Sequence, residues 1–281
     1  MTYDLIVQAL QPIPGSTLDA ITALSGTAKM SQTAPQIWRW HDANPNQWAT
    51  INAYCDPLGL DAAFMESGKR LRDIGLIVMD MDSTLITIEC IDEIADLQGL
   101  KPAISAITER AMRGELDFAA SLRERVALLA GLEESALAQV YQERLQLSPG
   151  AERMLQTVHA AGVQSLLVSG GFTYFTERLQ TRLQLNKTVA NVLDIQNGKL
   201  TGKVNGDIVD AQAKAHWLLA LREQLNLRPE QVIALGDGAN DLKMLALAGV
   251  GIAYHAKPVV RAQARFALSH VGLDGLLAWF A

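Results

Sequence analysis

Asp80 and Asp82 stand with one residue between them at the end of the run GLIVMDMDST, residues 75–84, behind the apolar Leu76, Ile77, Val78 and Met79. A carboxylate is costly to hold beside a buried strand unless something binds it. Two of them at such a place point to a divalent cation with phosphate chemistry beside it. Two further stretches carry the same signal. Gly236-Asp237-Gly238-Ala239-Asn240-Asp241 follows the apolar VIAL. Its glycines let the backbone pass close to an ion or a phosphate, and a tight turn lets Asp237 and Asp241 face one cavity. Ser169-Gly170-Gly171 follows SLLV. A hydroxyl with amides at a helix start makes a phosphate cradle. The three stretches bring no catalytic histidine, no cysteine and no zinc-type ligand spacing. Oxygen ligands with a few carboxylates suit Mg²⁺, which keeps waters and shares its shell with phosphate. Each stretch alone is ordinarily a turn; the three in this order make a site.

Strands must position these residues. The sequence predicts them at Leu76–Asp80, Ser165–Ser169, Val232–Asp237 and Val250–Tyr254. Helical patterns follow the last three, at Thr173–Leu183, Asp241–Ala248 and Pro258–Ala264. Alternating strands and helices imply a parallel sheet covered on both faces. In such open α/β sheets the ligands lie at the carboxyl ends of the strands, where all three stretches fall. One long segment, from 92 to about 146, breaks the alternation. Pro102–Arg113, Asp117–Ala130 and Glu133–Leu145 read as helices separated by Gly114 and Gly131, with a short one at Ile91–Leu97. Inserted after the first strand, they form a helical cap that covers the site and excludes water. Asn191–Val204 holds an Asn197-Gly198 pair between strand-like runs, the signature of a type I′ hairpin, read here as structural.

Residues 1–72 differ in character. Tyr3–Leu10 and Ile37–Asp42 read as strands, Ser16–Leu24 and Asp61–Arg72 as helices, with Trp38, Trp40 and Trp48 nearby. They predict a small α+β domain that packs or dimerises, ahead of a catalytic domain over 73–281. The chain has 281 residues, 49% of them hydrophobic, and a net charge of −6. The acidic balance without a basic block argues against nucleic acid as a partner. No apolar run approaches the length of a membrane span. The N-terminal residues do not read as a signal peptide, and two cysteines are too few for a disulfide framework. A reduced, cytoplasmic enzyme with a small-molecule substrate is the expectation, with a homodimer left open.

DMDST, SGG, a downstream lysine and GDGAND resemble the four motifs of the haloacid dehalogenase superfamily. IECIDEIADLQG, FAASLRERVALL, SGGF, NGKLTG and GDGANDLKML further resemble the phosphoserine phosphatase family, over about residues 75–260. The first 70 residues bear only a distant similarity to small regulatory ligand-binding domains. The resemblance implies a Rossmann-like parallel sheet with an inserted cap. It also implies Mg²⁺-dependent hydrolysis of O-phospho-L-serine through an aspartyl-phosphate, the final step of serine biosynthesis. A phosphotransferase passing the phosphoryl group to another alcohol, such as homoserine, is the alternative.

By that resemblance Asp80 is the nucleophile, and Asp82 is the general acid and then the base. Asp80, the Asp82 carbonyl and Asp237 hold the metal, with Asp241 in support. Ser169, Gly170 and Asn240 hold the phosphoryl oxygens. Lys214 screens Asp80 from the incoming dianion, although a lysine near a helix start is by itself ordinarily a solvated surface residue. Glu89 pairs with the substrate ammonium, Arg125 with its carboxylate, and Phe118 walls the pocket. Arg123 and Arg125 lie about 200° apart on a helix, so only one can face the site. Met81 stands where many relatives have Phe, and Cys90 reads as a small buried residue. Phosphate monoester hydrolysis demands up to about 10²¹-fold acceleration, so a crowded site is expected.

Overall fold

The computed structural model describes residues 1–280. The chain begins with β1 (Tyr3–Gln8), α1 (Gly15–Ser25), β2 (Met30–Ala34), β3 (Ile37–Trp40), α2 (Trp48–Cys55) and β4 (Asp61–Glu66). These strands form one antiparallel sheet in the order β2-β3-β1-β4. The helix expected over Asp61–Arg72 is not there: strand β4 and a 3₁₀ turn at Leu71–Asp73 take its place. Ala62, Ala63, Met65 and Glu66 favour helix locally. But β1 is central and buried, and β4 pairs with it along its full length, from Tyr3↔Glu66 to Gln8↔Asp61. Pairing that satisfies a buried strand's backbone overrides a weak propensity. Strand β2 and helix α2 were not foreseen either, and β2 is mostly exposed, without the apolar alternation that marks a half-buried strand.

The second unit opens with β5 (Leu76–Met79), followed by four short helices: α3 (Cys90–Leu97), α4 (Lys101–Met112), α5 (Phe118–Ala127) and α6 (Ser135–Gln139). Then come α7 (Ala151–Ala160), β6 (Gln164–Phe172), α8 (Thr173–Leu183), β7 (Lys187–Gln196), β8 (Lys199–Asn205) and α9 (Ala211–Gln224). The chain closes with β9 (Val232–Gly236), α10 (Leu242–Ala246), β10 (Val250–Tyr254), α11 (Pro258–Arg261) and β11 (Phe266–Leu268). Seven strands form a sheet ordered β11-β10-β9-β5-β6-β7-β8. All its pairs are parallel except β7 with β8. Strand β5 lies between β9 and β6, so three strand ends carry the three polar stretches to one edge.

The unbroken apolar run of β5 now has its reason. Leu76 and Val78 face the core beneath α9 and α10, and Ile77 and Met79 face the core beneath the cap, α7 and α8. A strand covered on both faces has no polar side to alternate with.

Helices α3 to α6 form the cap. Its incoming and outgoing strands pair with each other through an Ile86↔Leu147 bridge, with Thr87 N–H donating to Gln146 O and Ser148 N–H to Leu85 O, each at 3.0 Å. The single helix expected over Glu133–Leu145 is α6 followed by a wider turn, where Leu145 N–H reaches Val140 O at 2.9 Å.

The two sheets are joined by charge. The buried Asp61 carboxylate accepts three backbone N–H groups, from Ser269 at 2.7 Å and from His270 and Val271 at 2.9 Å. Arg39 donates to Ala278 O at 2.9 Å, and Arg261 pairs with Asp56 at 2.8 Å. A cavity of about 160 Å³ at this joint is lined by Asp56, Asp61 and Arg261, whose charges are thus already engaged. Replacing Asp61 by alanine strips three amides of their acceptor. It is expected to lower stability by about 2–4 kcal/mol, read by urea denaturation, while the kcat of the distant site stays within about twofold.

Candidate active site

Strand β5 ends at Met79, and Asp80 follows in extended conformation (φ −72°, ψ 162°) with its carboxylate accepting Met81 N–H at 2.7 Å. The chain then makes a wide turn through Met81–Leu85 in which Ser83 adopts φ 55°. A non-glycine residue there is uncommon and needs surrounding contacts to hold it. Ser83 supplies one by donating its hydroxyl to Glu89 Oε1 at 2.8 Å. The turn also returns Asp82 toward the sheet, where its carboxylate accepts Cys90 N–H at 2.9 Å and the Ser169 hydroxyl at 3.3 Å. Gly171 is required beside it: a Cβ at that position would lie 2.7 Å from both Asp82 Oδ2 and Met81 Cε.

Lys214 is not a surface residue. Helix α9 is capped by Asp210, whose side chain accepts the N–H groups of Gln212 and Ala213. One turn later Lys214 points inward and is only 1% exposed. Its ammonium bridges Asp80 Oδ1 at 2.8 Å and Asp241 Oδ1 at 2.7 Å. Asp241 also accepts Gly238 N–H at 3.1 Å, and Asp237 accepts the Thr84 hydroxyl at 3.2 Å. One carboxylate oxygen from each of Asp80, Asp237 and Asp241 lies within 4.8 Å of the others.

The electrostatics follow from burial. Burial raises the Asp80 carboxyl well above the usual range, and Asp241 raises it further against the pull of Lys214. Burial also raises Asp82, opposed by its bonds from Cys90. Asp237 is raised by burial and then by Asp241. For Lys214 burial pulls the ammonium down, but Asp80 and Asp241 together outweigh it and hold the group charged. Four carboxylates against one ammonium leave three formal negative charges unbalanced if all ionise. A hard divalent cation among Asp80, Asp237 and Asp241 relieves that repulsion, so the donor set fits a metal.

The specificity candidates come from the cap. Arg125 on α5 is half-buried while Arg123 is exposed, so one arginine of the pair turns inward. Burial draws the Arg125 guanidinium down, and the charges of Asp92, Glu89 and Asp82, in that order, oppose the shift. Glu89 is open to solvent at the rim yet hemmed in by protein. That partial burial, with Asp82 next, pushes its carboxyl up to about 7. Phe118 leans on the serine-glycine loop, its Cζ 2.9 Å from where a Cβ on Gly170 would stand. Asn240 folds against Gly238 beside the acidic trio.

Sequence reading missed Asn191. It is 1% exposed on β7, where it donates to Gly170 O at 2.8 Å and accepts Val209 N–H at 2.9 Å. It thereby fixes the serine-glycine loop to the segment that leads into α9. An asparagine in a strand carries no sequence signal for such a bridge.

Carboxylates gathered at the carboxyl edge of a parallel sheet, cross-braced by a buried lysine and facing a serine-glycine loop, define a phosphoryl-transfer site. A family profile described as haloacid dehalogenase-like hydrolase matches residues 77–246. A phosphoserine phosphatase from Polaromonas is 52% identical over 213 residues, covering 74% of this chain and 90% of that protein. The crystal structure of a probable phosphoserine phosphatase from Vibrio cholerae superposes with a TM-score of 0.84 at 40% identity, covering 99% of this chain and 86% of that one. A phosphoserine phosphatase solved as a phospho-aspartyl intermediate analogue gives a TM-score of 0.69 at 35% identity, covering 74% of this chain and 99% of that one. The chain belongs to the haloacid dehalogenase-like hydrolases and, within them, to the phosphoserine phosphatase family. No helix among the described residues is long and apolar enough to cross a membrane.

Proposed function

We propose that this chain hydrolyses O-phospho-L-serine to serine and inorganic phosphate with Mg²⁺ as cofactor, in the cytoplasm, as the last step of serine synthesis. The observation that supports the substrate choice is that Glu89 and Arg125, of opposite charge, both feel the charge of Asp82. Phosphoserine brings an ammonium for the first and a carboxylate for the second. Residues 1–72 serve as a packing module for the catalytic unit at 73–281, a reading supported by the joint at Asp61.

In this reading an Asp80 oxygen attacks phosphorus, and the bond to the serine oxygen breaks. Asp82, whose carboxyl burial raises, gives its proton to that oxygen. A water then attacks the aspartyl-phosphate, Asp82 takes its proton, and phosphate leaves. Ser169, the Gly170 amide and Asn240 steady the phosphoryl oxygens. Lys214 stays charged throughout and meets the developing negative charge. Asp80, Asp237 and the Asp82 carbonyl, with Asp241 behind them, are the residues that would hold Mg²⁺, whose chemistry is to offset phosphoryl charge.

Release of inorganic phosphate from L-phosphoserine, phosphothreonine and p-nitrophenyl phosphate tests this directly. The expected result is a preference for phosphoserine that disappears with a chelator and returns with Mg²⁺. Equal turnover of all three sinks the substrate assignment. Transfer to added homoserine, in place of release, would move the chain to the transferase reading.

The Glu89 carboxyl gives a pH test. Below about pH 7 it gains a proton and loses the charge that meets the ammonium. The ratio of kcat/KM for phosphoserine to that for glycerol 3-phosphate, which has an alkoxide leaving group but no ammonium, is expected to fall as pH drops through this range, since titrations shared by both substrates cancel. In Glu89→Gln the ratio is expected to be about 10- to 100-fold lower and flat with pH. A ratio that stays high and pH-dependent in the variant removes Glu89 from recognition.

A further inference from the structure

The β7–β8 hairpin is bonded to the cap. Gly131 N–H donates to Leu200 O, Leu200 N–H to Leu132 O, and Glu134 N–H to Gly198 O, each at 2.8 Å. Lys199 adds an ion pair to Glu133 at 2.9 Å. A hairpin serving only to extend the sheet edge would leave the outer backbone groups of β8 to solvent. Here they continue into the turn that follows α5.

The side chains make the same contact tighter. Gly202 on β8 has φ +80°, and a Cβ there would stand 2.9 Å from Ala130 Cβ and 3.2 Å from Ala127 O. The carboxyl end of α5 therefore lies flush on a glycine. At the amino end the contact is made through a side chain: the Phe118 ring tip lies 2.9 Å from where a Cβ on Gly170 would stand. Helix α5 is ten residues long, about 15 Å; it rests on Gly202 at its carboxyl end and is held at its amino end by the Phe118 ring against Gly170. Arg125 lies near the hairpin end, two residues before the Ala127 that touches Gly202. A helix fixed at both ends has little freedom to slide or roll, and the reach of its arginine is fixed with it.

We infer that Gly202, with the hairpin that carries it, is a positioning residue for substrate specificity: it sets the depth of α5 and so the place of Arg125 over the site. This rests on the reading of Arg125 as the partner of the substrate carboxylate. Gly202 touches no reacting atom; it acts through the helix.

The test compares Gly202→Ala, and Ala130→Val as a crowding of the same contact from the exposed cap side, on L-phosphoserine and on p-nitrophenyl phosphate, which has no carboxylate. Each variant is expected to raise KM for phosphoserine by about 10-fold, since an ångström of misplacement can cost up to about 100-fold. The kcat and the p-nitrophenyl phosphate kinetics should stay within about twofold. In an Arg125→Ala background neither substitution should raise KM further, because its route is already cut. If Gly202→Ala does not fold, Ala130→Val decides alone. Equal loss on both substrates, or a further KM increase in the Arg125→Ala background, overturns the positioning role. If Arg125→Ala by itself leaves the phosphoserine preference intact, the reading of Arg125 fails, and the inference with it. If Arg125→Ala abolishes the preference while neither seat variant shifts it, the inference alone fails.

Discussion

Asp80→Asn is expected to lower kcat on phosphoserine by about 10⁴- to 10⁶-fold, the scale at which removing a covalent nucleophile is felt. The amide is nearly the same shape, so it keeps its place at the end of β5 and can still accept Met81 N–H through its oxygen. What it loses is the anionic oxygen that attacks phosphorus. The fold should not suffer. Burial and Asp241 already hold the Asp80 carboxyl above the usual range, so ionised Asp80 stands in the folded protein at a cost. Removing that charge leaves Lys214 paired with Asp241. A melting temperature equal to or above that of the unaltered protein, with activity gone, is the expected pair of results in the absence of metal. Residual turnover above about one-hundredth would mean that phosphate is taken by water directly.

Lys214→Met is expected to be nearly as damaging, for a different reason. Among the described residues its ammonium is the one cation bonded to both Asp80 and Asp241, at 2.8 and 2.7 Å. Without it two buried carboxylates face each other. Without the lowering pull of Lys214 the Asp80 carboxyl titrates higher still, so a larger share of it is protonated and unable to attack at neutral pH. The developing phosphoryl charge also loses a donor, which alone costs about 10²- to 10³-fold in kcat. The two losses together predict a fall of about 10³- to 10⁴-fold, with the acid limb of the pH–rate profile moved to higher pH. Breaking a buried ion pair on one side also costs about 3–5 kcal/mol of stability, in contrast to Asp80→Asn. Lys214→Arg should not rescue, since a planar fork cannot sit as a point charge between two carboxylates. Stopped assays across pH with a parallel denaturation curve check both halves; retention of a tenth of the activity contradicts the role given to Lys214.

Much of this site was legible in the sequence because it lies at strand ends. Apolar runs halted by Asp80, Ser169 and Asp237 mark the carboxyl edge of a parallel sheet, and sheet topology brings such ends together without any long-range contact having to be known. The cap was legible as helical periodicity between two strands. What could not be read depends on packing across distance. Lys214 looks like a solvated residue in its own helix; only the family resemblance points it at Asp80, and the fold is what turns it there. Asp61–Glu66 looks helical, and only the need of β1 for a second partner makes it a strand. Asn191 and Gly202 lie in a hairpin whose Asn197-Gly198 turn, with φ of 52° and 75°, is as expected. That turn says nothing of the contacts the hairpin makes with the serine-glycine loop or the cap.

The central claim is a covalent phosphate on Asp80. It is tested most directly by mixing the enzyme and Mg²⁺ with ³²P-labelled L-phosphoserine, quenching in acid within milliseconds, and mapping the labelled peptide. The account predicts label on the peptide containing Asp80, released by hydroxylamine as an acyl phosphate should be, and absent from Asp80→Asn. Full turnover with no trapped label at any quench time, or label that persists in Asp80→Asn, would contradict it.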